Sequence, residues 1–531
     1  MSFATFLSNL PPAQRAVLLG LDTDDPQHAA FPAKRVVHAG LLGSPVPKQN
    51  EQTVWLKAME ETADRRRDYA IYVHIPFCQT RCLYCGFYQH ATRQEVEDDY
   101  VQQLVAEIKR DTAFPQLKTA TISSIFIGGG TPTSLTPTNV SSVLNALRDN
   151  LNLAADCEIT LEGRIHDVVP EKIAAWLAGG VNRISLGVQS FDTQIRRYVG
   201  RIDDRETVLA RLKNLLAHDV TVIVDLIYGL PGQDMAKWLE DVATLEESGV
   251  HGMDLYQLNI FPGGNLEKAV QKGTVPPCAD IAGQADMYGA AREYLLGRGY
   301  ERLSLCHWRK DKREGSRYNS MAKSGAVVYP FGCGAGGNVS GLSFMLERHL
   351  DPYMEAMQRG QKPFMMMAHQ VEPHLQHLSN QIIDNLERGY LHFGELLRQE
   401  PRLQEVRQVL AHWEENGLMT HTGSDYTLTP IGEFWYINMT QSLLECSQAI
   451  VEDTIENLSP VQEGNTSGDP LDEVIAELMP QADSAARQAM VKKIPTPVRM
   501  MLKRSSKDSL KKMLAGLPPS MLERMMSKAM G

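Results

Sequence analysis

The chain has 531 residues, of which 43% are hydrophobic and 22% are charged, and its formal net charge is −11. A globular chain of this length exceeds one ordinary core, so we expect two or three domains. The negative charge argues against nonspecific nucleic-acid binding, and no stretch approaches the roughly 18 consecutive apolar residues of a membrane-spanning helix. The first residues lack the basic and apolar regions of a secretory signal, so we expect a cytoplasmic protein.

The first informative segment is a loop with three closely spaced cysteines, Cys78, Cys82 and Cys85, directly after an apolar run at residues 72–75. Thiolates are the soft ligands of iron–sulfur clusters, and a cluster usually takes four. Three thiolates therefore predict a [4Fe-4S] cluster with one iron open to a chelating small molecule. The alternatives are buried core thiols, a disulfide set, which a reducing compartment disfavours, and a zinc site, for which no second ligand pair is evident.

Short β-rich runs alternate with amphipathic helical stretches between residues 70 and 340. The predicted strands cover residues 72–75, 124–127, 157–161, 183–187, 222–227 and 253–258. Such alternation is typical of βαβ units and a parallel sheet. We therefore expect an α/β fold with a complete or partial TIM-type barrel, whose chemistry lies at the carboxyl ends of the strands.

Glycines and polar residues occupy the predicted strand ends. Residues 128–133 read Gly-Gly-Gly-Thr-Pro-Thr, and glycines let backbone amides approach a ligand closely. Glu162 is expected to hold a pair of ribose hydroxyls, with a surface carboxylate as the alternative. Gln189, Arg201 and Asp225 form a polar set for a second charged ligand, because the guanidinium of Arg201 offers a forked donor to a carboxylate.

A second unit, at about residues 375–450, has the pattern of a winged helix. A helical run through Asn385 is followed by a second helix at 409–417 and by a short strand pair at 419–421 and 426–428. The second helix is acidic rather than basic, so we favour a lid or packing module over DNA binding.

The end of the chain changes character. A polar run at residues 464–470 predicts a linker. Residues 491–531 then carry ten Lys or Arg against Asp508 and Glu523, together with seven methionines. A small helical bundle with methionine as core filler is the first interpretation. A surface for a membrane, an acidic partner or an anionic ligand is the alternative.

Together these motifs resemble the radical S-adenosylmethionine (SAM) enzymes of the oxygen-independent coproporphyrinogen III oxidase superfamily. The resemblance rests on residues 72–85, 128–133, 187–191 and 225–231, and covers roughly residues 70–445. It implies that the three cysteines hold the cluster, while SAM chelates the fourth iron and supplies the radical chemistry. By motif position, the first SAM would contact Tyr72, Gly129, Glu162 and Asn259, and a second would contact Gly130, Thr131, Gln189, Arg201 and Asp225.

Differences from the superfamily pattern indicate which group within the superfamily the chain resembles. Coproporphyrinogen oxidases carry a fourth cysteine two residues after the third, and that position here is Phe87. Heme-chaperone relatives usually read Glu-x-x-Pro after the third strand, whereas residues 162–166 here read Glu-Gly-Arg-Ile-His. With residues 331–337 and 434–439, this run resembles the HutW/ChuW heme-utilisation group.

That group implies anaerobic heme degradation in iron acquisition: a C-methyltransferase uses SAM as radical source and methyl donor, opens the porphyrin ring and releases iron. Arg164 and His166 are the predicted catalytic residues, for substrate contact or proton transfer, with structural roles as the alternative. Heme is the expected substrate, and flavodoxin or a similar carrier is the expected electron donor. The alternative functions are a heme chaperone that transfers intact heme and an oxygen-independent coproporphyrinogen III dehydrogenase.

The expected fold is thus a radical SAM partial (β/α) TIM-type barrel with a C-terminal winged-helix-like module and a helical tail. The predicted domain order is an N-terminal extension (1–68), the radical SAM barrel (69–345), the winged-helix-like module (346–455), a linker (456–487) and a basic, Met-rich tail (488–531).

Overall fold

The computed structural model describes residues 2–35, 40, 41, 43–86, 90–455 and 458. The predicted tail, the predicted linker apart from Leu458, and Phe87 therefore lie outside the described residues. Within the described ranges, no helix is both long enough and apolar enough to cross a membrane.

The N-terminal segment is mostly helical. Its elements are α1 (Phe3–Asn9), α2 (Pro12–Leu19), α3 (Pro26–Ala29), β1 (Ser44–Pro45) and α4 (Glu51–Glu60). Short 3₁₀ helices here and further along the chain lie at Lys48–Asn50, Pro132–Ser134, Ile165–Asp167 and Pro401–Val406.

The central region alternates strands and helices. Its strands are β2 (Tyr69–Ile75), β3 (Phe77–Cys78), β4 (His90–Ala91), β5 (Ile122–Gly129), β6 (Leu153–Arg164), β7 (Arg183–Gln189), β8 (Thr221–Tyr228), β9 (Gly252–Gln257), β10 (Glu301–Arg302), β11 (His307–Arg309) and β12 (Val327–Phe331). Its helices are α5 (Gln94–Asp111), α6 (Pro115–Thr119), α7 (Pro137–Asn150), α8 (Pro170–Ala178), α9 (Thr193–Tyr198), α10 (Arg205–Leu216), α11 (Met235–Glu247), α12 (Asn265–Gln271), α13 (Ile281–Gly297) and α14 (Arg317–Lys323).

The central strands form one nine-stranded sheet in the order β10-β11-β9-β8-β7-β6-β5-β2-β12. From β9 to β12 neighbouring strands are parallel, while β11 and β10 are antiparallel. The prediction of a partial TIM-type barrel is therefore confirmed. The sequence analysis did not assign β12 or the antiparallel edge.

Alternation along the strands separates the core from the site. In β8, Val222, Val224 and Leu226 are fully buried apolar side chains. Because successive side chains of a strand point to opposite faces, Asp225 lies on the other face, where it pairs in register with Asp254 of β9. Apolar residues thus pack the helices against the sheet, and acidic residues face the barrel interior.

The C-terminal part contains two small antiparallel sheets and several helices. Its strands are β13 (Gly336–Val339), β14 (Leu342–Leu346), β15 (Phe364–His369), β16 (Tyr390–Leu391), β17 (Met419–Thr422) and β18 (Asp425–Leu428), and its helices are α15 (Leu350–Gln358), α16 (Pro373–Glu387), α17 (Phe393–Gln399), α18 (Arg407–Glu415) and α19 (Pro430–Val451). One sheet has the order β1-β15-β14-β13 and the other β16-β18-β17.

Two observations bear on the predicted domains. The boundary proposed after residue 345 falls inside β14, and the N-terminal segment packs on the C-terminal helices. The indole Nε1 of Trp413 donates to the Leu19 carbonyl at 2.8 Å, and the Phe3 amide donates to Glu405 at 3.0 Å. The domain limits stay predictions, and the N-terminal helices share one core with the helices at residues 373–451.

Candidate active site at the strand ends

The cysteine loop follows β2, and its first residues contact β4 and the glycine run after β5. β3 pairs in parallel with β4, and the Thr131 hydroxyl donates to the Cys78 thiol at 3.3 Å. Cys78 and Cys82 are buried, Cys85 is partly buried, and none of the three forms a disulfide. Within the described part of the chain, no group of three Cys, His, Asp or Glu is arranged to hold a metal ion.

The glycine run after β5 brings backbone close to the cysteine loop. Gly129 has φ +112°, a conformation that favours glycine. A Cβ on Gly130 would lie 2.5 Å from the Phe77 carbonyl oxygen, so no larger residue fits there. The Gly129 amide donates to the Glu162 carboxylate at 3.2 Å, which ties the end of β5 to β6.

Two carboxylates on β6 and β8, the strands on either side of β7, have raised pKa values. Burial raises the pKa of Glu162 to about 7, and the hydrogen bond from Gly129 opposes this shift. Burial, with smaller contributions from Asp254 and Glu162, raises the pKa of Asp225 to about 8. The Ser185 hydroxyl donates to Asp225 at 3.2 Å. A cationic or hydroxyl-bearing ligand would stabilise these carboxylates.

Gln189 and Arg201 both lie close to Gly187 of β7, and each has a buried polar atom without a hydrogen-bond partner. The Gln189 carbonyl oxygen and the Arg201 Nε are buried without a hydrogen-bond partner, although Arg201 Nη2 donates to the Tyr84 hydroxyl at 2.9 Å. A Cβ on Gly187 would lie 2.5 Å from Gln189 Nε2 and 3.2 Å from Arg201 Nη2. Buried polar atoms normally have partners, so these two indicate a ligand position.

Tyr72 and Asn259 complete the set predicted to contact SAM. The Tyr72 hydroxyl lies 3.0 Å from His74 Nδ1, and its ring stacks on Phe126 at 6.2 Å between centroids. Asn259 lies in the partly exposed segment after β9. The predicted SAM contacts therefore all follow or occupy the carboxyl halves of β2 and β5 to β9, except Arg201, which lies between α9 and α10.

Arg164 and His166 lie beside the cysteine loop. The Arg164 guanidinium donates to the Thr80 hydroxyl at 2.6 Å and to the Thr80 carbonyl at 2.9 Å. His166 Nδ1 lies 3.1 Å from Asp203, which also accepts from Arg211 at 2.9 Å. Arg164 thus braces the loop between Cys78 and Cys82. The predicted roles of both residues in substrate contact or proton transfer stay predictions.

The sequence analysis missed an acidic pair on the barrel interior. His307 Nδ1 lies 2.8 Å from Asp254 and His307 Nε2 lies 3.2 Å from Glu314. Burial alone would lower the pKa of His307, but the two carboxylates outweigh it and raise the pKa to about 9. The sequence does contain a sign of this cluster, because in β9 the charged Asp254 lies between the apolar Met253 and Leu255.

Comparisons with known proteins agree with this architecture. Residues 72–245 match the family model of the radical SAM superfamily. The anaerobilin synthase of Escherichia coli O157:H7 is 35% identical over 433 residues, which are 81% of this chain and 95% of that protein. The chain therefore belongs to the family of radical SAM proteins that includes this anaerobilin synthase. The heme chaperone HemW of Escherichia coli K12 is 33% identical over 276 residues, covering 51% of this chain and 70% of the relative.

Among solved structures, the Escherichia coli coproporphyrinogen III oxidase HemN, a radical SAM enzyme, aligns with a TM-score of 0.66. The alignment covers 76% of this chain and 96% of HemN at 20% identity, so it supports the fold alone. The resemblance to the HutW/ChuW group within the coproporphyrinogen oxidase superfamily is confirmed.

The cofactors of this radical SAM enzyme are a [4Fe-4S] cluster and SAM. The described residues fit both groups. Three thiols lie on one loop, a hydroxyl donates to the first of them, and glycines expose the adjacent backbone. The orphaned oxygen of Gln189 and Nε of Arg201 offer an acceptor and a donor to a bound molecule.

Proposed function

We propose that the protein degrades heme without oxygen, acting as a radical SAM C-methyltransferase that opens the porphyrin ring and releases iron. The observation that carries this proposal is the similarity to anaerobilin synthase, because it spans 95% of that relative and 81% of this chain. The Glu-Gly-Arg run at residues 162–164 points to the same branch.

The proposed roles of the residues follow from their chemistry. When bound, the cluster and SAM supply radical formation and methyl transfer. Cys78, Cys82 and Cys85 would bind the cluster. Glu162 would accept hydrogen bonds from ribose hydroxyls, held in place by the amide of Gly129.

A second SAM would lie near β7 and β8. The guanidinium of Arg201 suits its carboxylate, the amide of Gln189 would satisfy a polar group, and Asp225 would face the positive sulfonium. Arg164 and His166 are proposed to contact the substrate or transfer protons, with Arg164 also bracing the cysteine loop through Thr80.

An apolar surface beside the cluster loop supports a flat, apolar substrate. Tyr256, Ile260 and Phe261 are 42%, 41% and 36% exposed, which is unusual for such large apolar side chains in one segment. A Cβ on Gly86 would lie 3.1 Å from the Phe261 ring, so this segment borders the cysteine loop. Ligand pockets are mostly apolar with few polar groups, and a heme face fits that description.

One alternative has specific support. The similarity to HemW covers 70% of that heme chaperone, so binding and transfer of intact heme is the second candidate. We further propose that the protein acts in the cytoplasm and receives electrons from flavodoxin or a similar carrier.

The test is anaerobic incubation of the reconstituted protein with SAM, a chemical reductant and heme. We expect loss of heme absorbance, a methylated ring-opened product and free iron. Cys82→Ala should abolish all three, whereas Cys278→Ala, which removes a thiol outside the loop, should retain them. Retention of unconsumed heme would favour the chaperone, and carbon dioxide release from coproporphyrinogen would favour the dehydrogenase.

A further inference from the structure

A buried aspartate and a buried histidine lie in the barrel interior and take no part in the roles proposed above. Asp254 of β9 is 5% exposed and His307 of β11 is 4% exposed. The two residues are register partners on neighbouring antiparallel strands, and His307 Nδ1 lies 2.8 Å from the Asp254 carboxylate. An imidazole in direct contact with a carboxylate suits the storage and transfer of a proton.

The far side of the imidazole faces a second carboxylate. His307 Nε2 lies 3.2 Å from Glu314, which accepts from the Arg183 guanidinium at 3.0 Å. Burial lowers the pKa of His307, but Asp254 and Glu314 outweigh it and raise the pKa to about 9, so the ring is protonated at neutral pH. Because Arg183 satisfies the fully buried Glu314, Asp254 is the side of the ring that leads into the barrel.

Asp254 also lies next to the apolar surface proposed for heme. Tyr256, which belongs to that surface, is two residues further along β9, so the two side chains share a face of the strand at a spacing of about 7 Å. The titratable or charged groups that face the pair from each neighbouring element are Glu162 on β6, Arg183 on β7, Asp225 on β8, Tyr256 on β9, Cys306 before β11 and Glu314 before α14. Asp254 thus lies between a protonated imidazole and the proposed substrate surface.

Release of iron from a tetrapyrrole consumes protons. The ring binds iron through nitrogens that have lost two protons in total, as metal ligands generally bind in their deprotonated form. When ferrous iron departs, two N–H bonds must form, and no electron is transferred. In a site that excludes most water, a positioned side chain speeds such a proton transfer.

We infer that the Asp254–His307 pair donates one of the two protons that replace iron on the opened tetrapyrrole. The inference rests on the proposed function, because it concerns the last step of that reaction. The Nδ1–H bond of the His307 imidazolium breaks, Asp254 passes the proton on, and an N–H bond forms on one tetrapyrrole nitrogen as ferrous iron leaves. Water at the barrel mouth supplies the second proton and later reprotonates His307. Asp254 contacts the substrate in this step, and His307 acts through Asp254.

The experiment follows anaerobic single turnovers of the reconstituted full chain with heme, SAM and dithionite. It measures 5′-deoxyadenosine, the methylated tetrapyrrole and ferrous iron trapped by a chelating dye. Asp254→Asn keeps the shape of the side chain but cannot pass on a proton. It should form the first two products like the wild type and release iron at least about tenfold more slowly, so that a methylated tetrapyrrole still holding iron accumulates.

The pH profile of a second variant, His307→Gln, separates proton supply from a structural role. Wild-type iron release should fall as the pH rises through about 9, where His307 loses its proton. In His307→Gln this fall should be absent, and iron release should be slow at every pH. The matched control is His251→Gln. His251 is also buried, but it lies just before β9 and accepts from the Val222 amide at 2.9 Å, so iron release should match the wild type.

The three products distinguish failure of this inference from failure of the proposed function. Wild-type iron release in either variant that folds, loss of 5′-deoxyadenosine in such a variant, or equal slowing in His251→Gln would overturn the proton-donor role. An unchanged alkaline fall in His307→Gln would do the same. Absence of the methylated tetrapyrrole in the wild type would instead contradict the proposed function itself.

Discussion

Two buried polar clusters of this molecule differ in how completely their hydrogen bonds are satisfied. The first, the lysine cluster, comprises Lys362, Glu107, Asp111, Tyr329 and Tyr353. Lys362 is fully buried and donates to Glu107 at 2.6 Å and to Asp111 at 2.8 Å. The two tyrosine hydroxyls donate to the same two carboxylates, at 3.0 and 2.6 Å. Each of its charges has an opposite charge in contact.

The second, the strand-end cluster, comprises Glu162, Gln189, Arg201 and Asp225. Here burial raises the pKa values of the two carboxylates to about 7 and about 8, and Gln189 and Arg201 each keep an unpaired buried atom. Burial alone therefore does not distinguish a structural cluster from a functional one. The strand-end cluster differs in keeping unused hydrogen-bonding capacity, which a bound ligand can satisfy.

The largest expected effect is in the lysine cluster. Lys362→Met should lower the free energy of unfolding by about 3–5 kcal/mol, because two buried carboxylates lose their counter-charge. Urea unfolding of the reconstituted protein measures this. Lys310→Met, which removes a half-exposed partner of Glu246, should change it by about 1 kcal/mol or less. Equal effects of the two substitutions would contradict the structural role of the lysine cluster.

A smaller change, an increase in the free energy of unfolding, is expected when Asp225 is replaced. Its pKa is raised from 3.8 to about 8, so the folded protein holds a proton that the unfolded chain releases. Stability is therefore lost as the pH rises through this range. Without SAM, Asp225→Asn should be more stable than the wild type by at least about 1 kcal/mol at pH 8 and no more stable near pH 4. The exposed Asp149→Asn is the control, and a pH-independent difference would contradict the assignment.

The smallest effect is expected at Gln189, whose φ of +75° is unusual for a residue other than glycine. Gln189→Gly should stabilise the fold by about 1 kcal/mol, since it relieves the backbone and removes a buried unpaired amide, while it weakens SAM binding. Ser340→Gly relieves a similar φ of +44° without removing such a group and should stabilise less, with SAM affinity unchanged. If Gln189→Gly destabilised the protein, the amide would have a structural partner.

Much of the barrel could be predicted because each of its core strands carries a period of two or a short apolar run. The strand at Arg183–Gln189 was predicted from residue 183, with its end two residues early. β12 was missed although Val327–Phe331 is itself a short apolar run, and its pairing with β2, which begins about 250 residues earlier, is not encoded locally. Strand existence is a local property, whereas strand pairing is not.

The same limit applies to the site. The positions of Glu162 on β6 and Asp225 on β8, on either side of β7, follow from parallel strands whose carboxyl ends share an edge of the sheet. The contacts of Arg164 with Thr80 and of Arg201 with Tyr84 join residues 84 and 117 positions apart, and no periodicity encodes them. The cysteine spacing predicted the cluster and the family resemblance supplied SAM, whereas the bracing of the cysteine loop required the structure.

The contact between the N-terminal segment and α19 also determines when that segment can fold during synthesis. Trp435 donates to the carbonyls of Pro26 and Gln27, and Asn438 donates to that of Ala33. The first helices leave the ribosome long before these partners are made, and contacts this distant in sequence form slowly. The amino-terminal segment must therefore wait until the whole barrel and most of the C-terminal part have been translated before its apolar side is covered, so it is the part of the nascent chain for which a chaperone has the most time to act.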